Sequence, residues 1–122
     1  MAITPTLKVQ ATGQRQLQNV QAVTAAGSVK ADATLIGTKA RALVVASGAD
    51  GTKGIRLPKA VPGKAYTVKN VDNAVLKVDP YEDASQINVL SAGAAISMAA
   101  RTCATFHCSS TAQWYTCPLL PS

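Results

Sequence analysis

The sequence predicts an all-β domain, and three observations support this fold class. Apolar and polar residues alternate in short segments such as 65–71 and 74–80, which is the pattern of half-buried strands. Turn-forming residues separate these segments at intervals of roughly 8–12 residues, as in β-sandwiches and barrels. Aromatic residues make up only 4% of the chain, so a core of small aliphatic side chains is expected. We therefore predict one antiparallel β-sandwich, jelly-roll-like in its topology.

The predicted strands follow one another from residue 33 to residue 117. Their segments are 33–36, 40–47, 54–58, 65–71, 74–80, 86–89, 94–99, 102–108 and 113–117. The Ala-rich stretch 91–100 has helix propensity, but Ile96 and Met98 alternate with small residues, which favours a strand. No internal repeat is evident.

The first 30 residues differ from the rest of the chain. They are rich in Gln and Ala and hold no acidic side chain. Two interpretations stay open, namely an extended N-terminal arm that is ordered by a partner and a pair of edge strands. The domain division predicted on this basis is 1–30 for the arm or edge strands and 31–122 for the β-sandwich.

The charge of the chain has two interpretations, namely an acidic protein partner and a solvated surface whose basic side chains happen to fall early in the sequence. The formal net charge is +6, and ten of the twelve basic side chains precede residue 72. They do not form the dense basic stripe, interleaved with aromatic residues, that is typical of nucleic-acid modules. The candidate contact residues for the partner are Lys8, Arg15, Lys30, Arg41, Arg56 and Lys59.

No targeting or membrane segment is expected. The N-terminal residues lack a basic stretch followed by an apolar one, and no run of about 18 apolar residues occurs. Three cysteines, an odd number, argue against a secreted disulfide framework.

All three cysteines and the single histidine lie in segment 103–117. On one strand, Cys103 and His107 share a face but lie ~13 Å apart at ~3.3 Å per residue, which is too far for a shared zinc ion. Cys108 faces the other way, so it cannot form a nucleophile–base pair with His107. We therefore predict no metal site, no cofactor and no catalysis in this segment.

The same segment is predicted to be the last β-hairpin. A turn at 109–111 places Phe106 opposite Trp114 and Cys103 opposite Cys117. The aromatic pair would stabilise the hairpin. A disulfide between Cys103 and Cys117 stays open, because a shift of one residue removes the pairing and a reducing cytosol keeps thiols free.

Two other motifs fail as catalytic or binding sites. Glu82 and Asp83 are adjacent in a turn, whereas a glycosidase needs two carboxylates facing each other across a cleft. The glycines of segment 48–54 have neither the spacing nor the following helix of a phosphate-binding loop. A soluble carbohydrate-binding module is a third interpretation. Such modules need several exposed aromatic residues, and the only candidates in the sequence are Tyr66, Tyr81, Trp114 and Tyr115.

Residues ~40–116 carry a pattern of short motifs. It reads DGTKG, a strand that ends in LP, GKxYxVxN, an alternating LKV strand, INxL, ATF and a final QWYT. This pattern resembles small virion proteins of tailed bacteriophages, among them head decoration or cement proteins, several of which are jelly rolls.

The resemblance implies a structural protein and not an enzyme. The expected function is a capsid cement protein that binds the major capsid protein lattice on the virion surface and stabilises the head after assembly in the host cytoplasm. A dimer or trimer is expected from the symmetry of such lattices. The alternative is a fibre or tail-associated module that contacts other virion proteins or a host receptor.

Overall fold

The protein is all-β, as predicted. The computed structural model describes residues 20–37 and 43–120. The strands in this part of the chain are β1 (Val20–Thr24), β2 (Thr34–Leu35), β3 (Leu43–Ser47), β4 (Gly54–Arg56), β5 (Ala65–Asn70), β6 (Leu76–Asp79), β7 (Gln86–Ile87), β8 (Ile96–Met98), β9 (Cys103–Ser110) and β10 (Gln113–Cys117). A single 3-10 turn, Lys30–Asp32, lies between β1 and β2.

The strands form two mixed sheets. The larger sheet has the order β1-β3-β5-β9-β10-β7, and the smaller one has the order β2-β4-β6-β8. The chain passes from the larger to the smaller sheet four times, through β1–β2, β3–β4, β5–β6 and β7–β8. A strand of the larger sheet and the next strand of the smaller sheet together make one coil: β1 and β2, then β3 and β4, then β5 and β6. Strands of neighbouring coils pair in parallel within both sheets.

This arrangement is a β-solenoid, and the antiparallel, jelly-roll-like topology predicted from the sequence is wrong. Five strand pairings are parallel and three are antiparallel. A strand with one buried face alternates in the same way whether its neighbour is parallel or antiparallel. The spacing of 8–12 residues is half of a solenoid coil, so it does not separate the two folds.

The coils form a structural repeat that the sequence did not reveal. Paired positions in neighbouring coils differ by 21 residues, from Thr34 to Ile55, up to 24 residues, from Val44 to Val68. Because this offset varies and the inward side chains change identity, no fixed period appears in the sequence.

The core lies between the two sheets and is built in layers. One layer joins Val23, Ala46 and Asn70 across β1, β3 and β5, and all three are buried. Asn70 donates hydrogen bonds from Nδ2 to the carbonyls of Ala74 (2.8 Å) and Ala99 (3.1 Å). A buried amide with its donors used in this way ties the turn after β5 to the end of β8.

The last two strands form the predicted hairpin, but in a different register. The alternation along β9 is as predicted, with Ala104, Phe106 and Cys108 buried. Trp114, however, pairs with Cys108, and Cys117 pairs with Thr105. The turn is shorter than predicted, and a bulge at Gln113/Trp114 shifts the register. Phe106 is therefore not opposite Trp114, and Cys103 is not opposite Cys117.

The N-terminal segment contributes an edge strand. β1 is one of the two edge strands of the larger sheet among the described residues, and Val23 and Ala25 belong to the core. Residues 1–19, including Lys8 and Arg15, lie outside the described residues.

Gly54 sets the distance between the second and third coils. A Cβ atom at this position would lie 2.9 Å from the Lys77 carbonyl oxygen and 3.1 Å from Lys77 Cβ. We expect Gly54→Ala to reduce the free energy of unfolding by about 1–3 kcal/mol, because β4 and β6 would have to separate. Urea denaturation measures this loss. Gly37→Ala is the control, since the atoms nearest its added Cβ are those of the flexible Gln21 side chain. An equal effect of both variants would contradict the steric explanation.

Candidate functional site

The outer surface of the larger sheet is poor in charge, and we call it the neutral face. It is the side of β1, β3, β5, β9 and β10 that points away from the core. The register aligns its side chains in three rows, which are Ala22, Val45, Lys69 and Cys103, then Thr67, Thr105 and Cys117, then Ala65, His107 and Tyr115.

The neutral face is a continuous surface of small and β-branched side chains. Thr67 and Thr105 share a hydrogen bond of 2.8 Å between their hydroxyls, and Tyr115 is 52% exposed. The Lys69 ammonium is directed to the carbonyl of Arg101 at the edge of the face. Lys, Glu and Asp are depleted at the centre of protein interfaces, so a face with few charges is compatible with a protein contact.

The outer surface of the smaller sheet has the opposite character. Arg56, Lys77 and Asp79 all point outward from β4 and β6, and Arg56 and Asp79 are paired in register. Lys30 approaches the same side from the 3-10 turn, where it forms an ion pair of 2.9 Å with Asp83. The protein thus has one neutral and one charged sheet surface.

The structure brings together two of the six basic residues selected from the sequence. Arg56 stacks on the Tyr81 ring at 4.3 Å and donates from Nη2 to the Tyr81 carbonyl at 2.6 Å. Lys30 donates to Asp83 and to the Glu82 carbonyl. Both cations therefore hold the turn after β6.

Of the other four basic candidates, the structure describes only Lys59. Lys59 is exposed in the loop after β4, next to Ala60, whose backbone N–H donates to Glu82 Oε2 at 3.0 Å. Lys8, Arg15 and Arg41 lie outside the described residues. These residues were predicted from their charge alone. Charge does not show which basic side chains will form contacts within the protein and which will face a partner.

The cysteines are free thiols. Cys103 and Cys117 are exposed on the neutral face, and Cys108 is buried on the other side of β9. Burial raises the pKa of the Cys108 thiol, which keeps it protonated and a poor nucleophile. His107 lies on the neutral face between Ala65 and Tyr115.

A cleft of about 350 Å³ opens on the charged surface. It lies between the loop after β1, the loop before β4 and the outward side of β6. The lining residues are Gly27, Ser28, Val29, Gly51, Thr52, Gly54, Lys77, Asp79 and Ala95. Asp50 fixes the rim, because its carboxylate accepts from the Thr52 N–H, the Thr52 hydroxyl and the Lys53 N–H. These contacts, the Thr52 hydroxyl first, lower the pKa of Asp50.

Asp79 is the unusual residue of the cleft. Only 9% of it is exposed, yet no hydrogen bond to its carboxylate and no ion pair within 4.0 Å is found among the described residues. The nearby cations are committed elsewhere: Lys30 to Asp83, Arg56 to Tyr81 and Lys77 to the Ser97 hydroxyl at 3.0 Å. The alternation of segment 74–80 puts Asp79 on the same face as Lys77, but it gives no sign that the carboxylate would lack a partner among the described residues.

Burial raises the pKa of Asp79 above its ordinary value of 3.8, against the attraction of Lys30, Arg56 and Lys77. The folded protein therefore binds this proton more tightly than the unfolded chain, and Asp79 lowers stability as pH rises from 3.8 through the raised pKa. We expect Asp79→Asn to be more stable than the wild type at neutral pH. The gain should disappear below pH 3.8, where Asp79 is protonated in both states.

Urea denaturation of both proteins across this pH range measures the difference. Asp83→Asn is the control, because its hydrogen bond with Lys30 lowers the pKa of Asp83, so neutralising it should have the opposite sign. A loss of stability in Asp79→Asn at neutral pH would contradict the argument.

Two classes of feature were not found in the part of the chain that the structure describes. No group of three or more His, Cys, Asp or Glu side chains is arranged to hold a metal ion. Among the same residues, no helix is long and apolar enough to cross a membrane.

Comparisons with known proteins give no relatives. No family model matches the chain, no curated protein matches it, and no solved structure matches it.

Proposed function

We propose that this chain is a non-enzymatic structural protein of a phage particle, a cement or decoration protein that binds the major capsid protein lattice and stabilises the head. The proposal begins with the motif pattern of residues ~40–116, which resembles phage virion proteins. The neutral face is the structural observation that carries it. A cement protein needs a broad contact surface and no catalytic pocket.

The dimensions and composition of the neutral face support a contact with protein. It extends over five neighbouring strands of one sheet. Its centre is formed by Thr67, Thr105 and Ala65 and its border by Tyr115. An uncharged centre loses little hydration energy on burial, and an amphipathic aromatic residue adds contact area at low entropic cost. We infer that this face lies against the capsid lattice.

The strand edges at the β1–β2 end of the described coils support self-association. β1 and β2 are the outermost strands of the two sheets at the same end of the coils, and among the described residues neither has a neighbour on its outer edge. Val20 and Leu35 beside these edges are each 52% exposed. Unpaired strand edges are templates for pairing with another chain, which is consistent with the proposed homo-oligomer of two or three copies.

The alternative is a fibre or tail-associated module. Solenoid coils stacked along one direction also suit an elongated appendage, in which the β1–β2 end would continue into a neighbouring protein. In that case the neutral face would contact other tail proteins.

Binding to purified particles tests the function. The full-length protein is mixed with phage heads that lack it and, separately, with isolated tails, and each mixture is sedimented. We expect saturable binding to heads, with DNA release from decorated heads at a higher temperature than from bare heads. Binding to tails alone would select the alternative, and binding to neither would reject both.

A further inference from the structure

We infer that the cleft beside Asp79 is a binding site for a neutral, hydroxyl-rich ligand of the size of a mono- or disaccharide. The inference is independent of the cement function, since the cleft lies on the charged surface and the neutral face lies on the other sheet.

The first step is the unpartnered carboxylate. The fully buried polar side-chain atoms without a partner among the described residues are Arg56 Nε and Trp114 Nε1, so the Asp79 carboxylate oxygens, which also lack a protein donor, are open to the cleft. Asp79 is 9% exposed and lines the cleft. Its Oδ2 lies 3.5 Å from the position of a Cβ on Gly54, another lining residue. The carboxylate is therefore directed at the cleft, where it can accept hydrogen bonds only from a ligand or from solvent.

The second step is the charge of the surroundings, which selects a neutral ligand. The cations Lys30, Arg56 and Lys77 all act on Asp79, and the acidic side chains of Asp79, Glu82 and Asp83 balance them. A cationic guest would meet Lys77, which lines the cleft, and an anionic guest would meet Asp79. A ligand with donors for Asp79 and acceptors for Lys77 satisfies both, and adjacent hydroxyl groups offer this combination.

The size and the walls of the cleft suit a small sugar. A volume of about 350 Å³ lies at the small end of ligand pockets, which range from about 300 to 1,000 Å³. Val29 and Ala95 offer apolar walls, and the glycines on the rim leave the entrance open. The Thr52 hydroxyl, held by Asp50 at 2.7 Å, keeps lone pairs free to accept from a ligand. No aromatic side chain lines the cleft, so the C–H groups of a sugar would rest on Val29 and Ala95, and weak binding is expected.

Nuclear magnetic resonance titration tests the site in the full-length protein. The probes are glucose, galactose, mannose, N-acetylglucosamine and lactose, each added to the isotopically labelled protein. We expect at least one of them to cause saturable shifts of the amides of Gly51, Thr52, Gly54 and Lys77. We expect Asp79→Asn to weaken that binding at least about tenfold, because a charge-assisted hydrogen bond is lost.

Two further variants separate the site from a general effect on the fold. Ala95→Leu narrows the cleft without changing a charge and should also abolish binding. Asp72→Asn removes a carboxylate charge outside the cleft and keeps a side-chain oxygen that can accept from the Ala49 N–H, so it should leave the affinity unchanged.

Three outcomes would overturn the inference. One is the absence of saturable shifts with every sugar. Another is unchanged affinity in folded Asp79→Asn and Ala95→Leu. The third is preferential binding of ethylammonium or guanidinium in place of the sugars, which would make the cleft a receptor for a basic side chain.

Discussion

Trp114→Ala is expected to destabilise the protein by about 3–5 kcal/mol, the usual cost of removing a large aromatic side chain from a core. Trp114 is fully buried, pairs with Cys108 and Ile87 on its two neighbouring strands and lies 6.0 Å from the Tyr66 ring. Removing the indole would leave a cavity where β7, β9 and β10 pack against the core. Since domains of this size are stable by only about 5–15 kcal/mol, much of the stability would be lost.

Urea denaturation followed by circular dichroism measures this effect, because Trp114 is the single tryptophan and the variant loses the fluorescence signal. Tyr115→Ala is the control on the same strand, where an exposed side chain should cost about 1 kcal/mol or less. Trp114→Phe should cost less than Trp114→Ala, since it fills part of the space and removes the indole N–H, which has no partner among the described residues. Equal losses for Trp114→Ala and Tyr115→Ala would contradict the placement of the core.

His107→Glu is expected to weaken binding to phage heads by about 100-fold or more. His107 is exposed on the neutral face beside Ala65 and Tyr115, so the folded monomer should tolerate the change. A carboxylate that is desolvated in a contact without a partner costs a few kcal/mol, and each 1.4 kcal/mol is about tenfold in affinity. Binding is measured by sedimentation with heads that lack the protein.

Val89→Glu is the matched control for the added charge. Val89 is 93% exposed, lies in the loop after β7 and is not on the neutral face. The Val89→Glu variant should bind heads like the wild type. Val89→Glu and His107→Glu should both unfold at the same urea concentration as the wild type. If His107→Glu binds normally, the neutral face is not the capsid contact; if both variants lose binding equally, long-range charge is responsible.

Local alternation was the part of the fold that could be predicted from the sequence. The side of β6 on which Lys77 and Asp79 lie, and the alternation of buried and exposed residues along β9, follow from the period of two in an extended chain. Each of these features depends on residues that are close in sequence, so the local pattern specifies it.

The sequence did not show which strands pair or in which direction. Parallel coils and antiparallel hairpins bury the same side chains at the same spacing, and the choice depends on where each connection leads the chain. The register of β9 and β10 depended on a bulge at Gln113/Trp114, which no residue in the turn specifies by itself. Because of this register shift, Cys117 pairs with Thr105 and not with Cys103 as predicted.

The sequence by itself determined an all-β chain, the inward and outward positions of its strands and the composition of its core. Only the tertiary structure decided the solenoid, the separation into a neutral and a charged surface, and the isolation of Asp79. Lys30, Arg56 and Asp79 come from three different coils, and the partners that each one finds depend on distances across the stack. Alternation within a strand is a local property of the chain, whereas these distances arise only when the coils pack on one another.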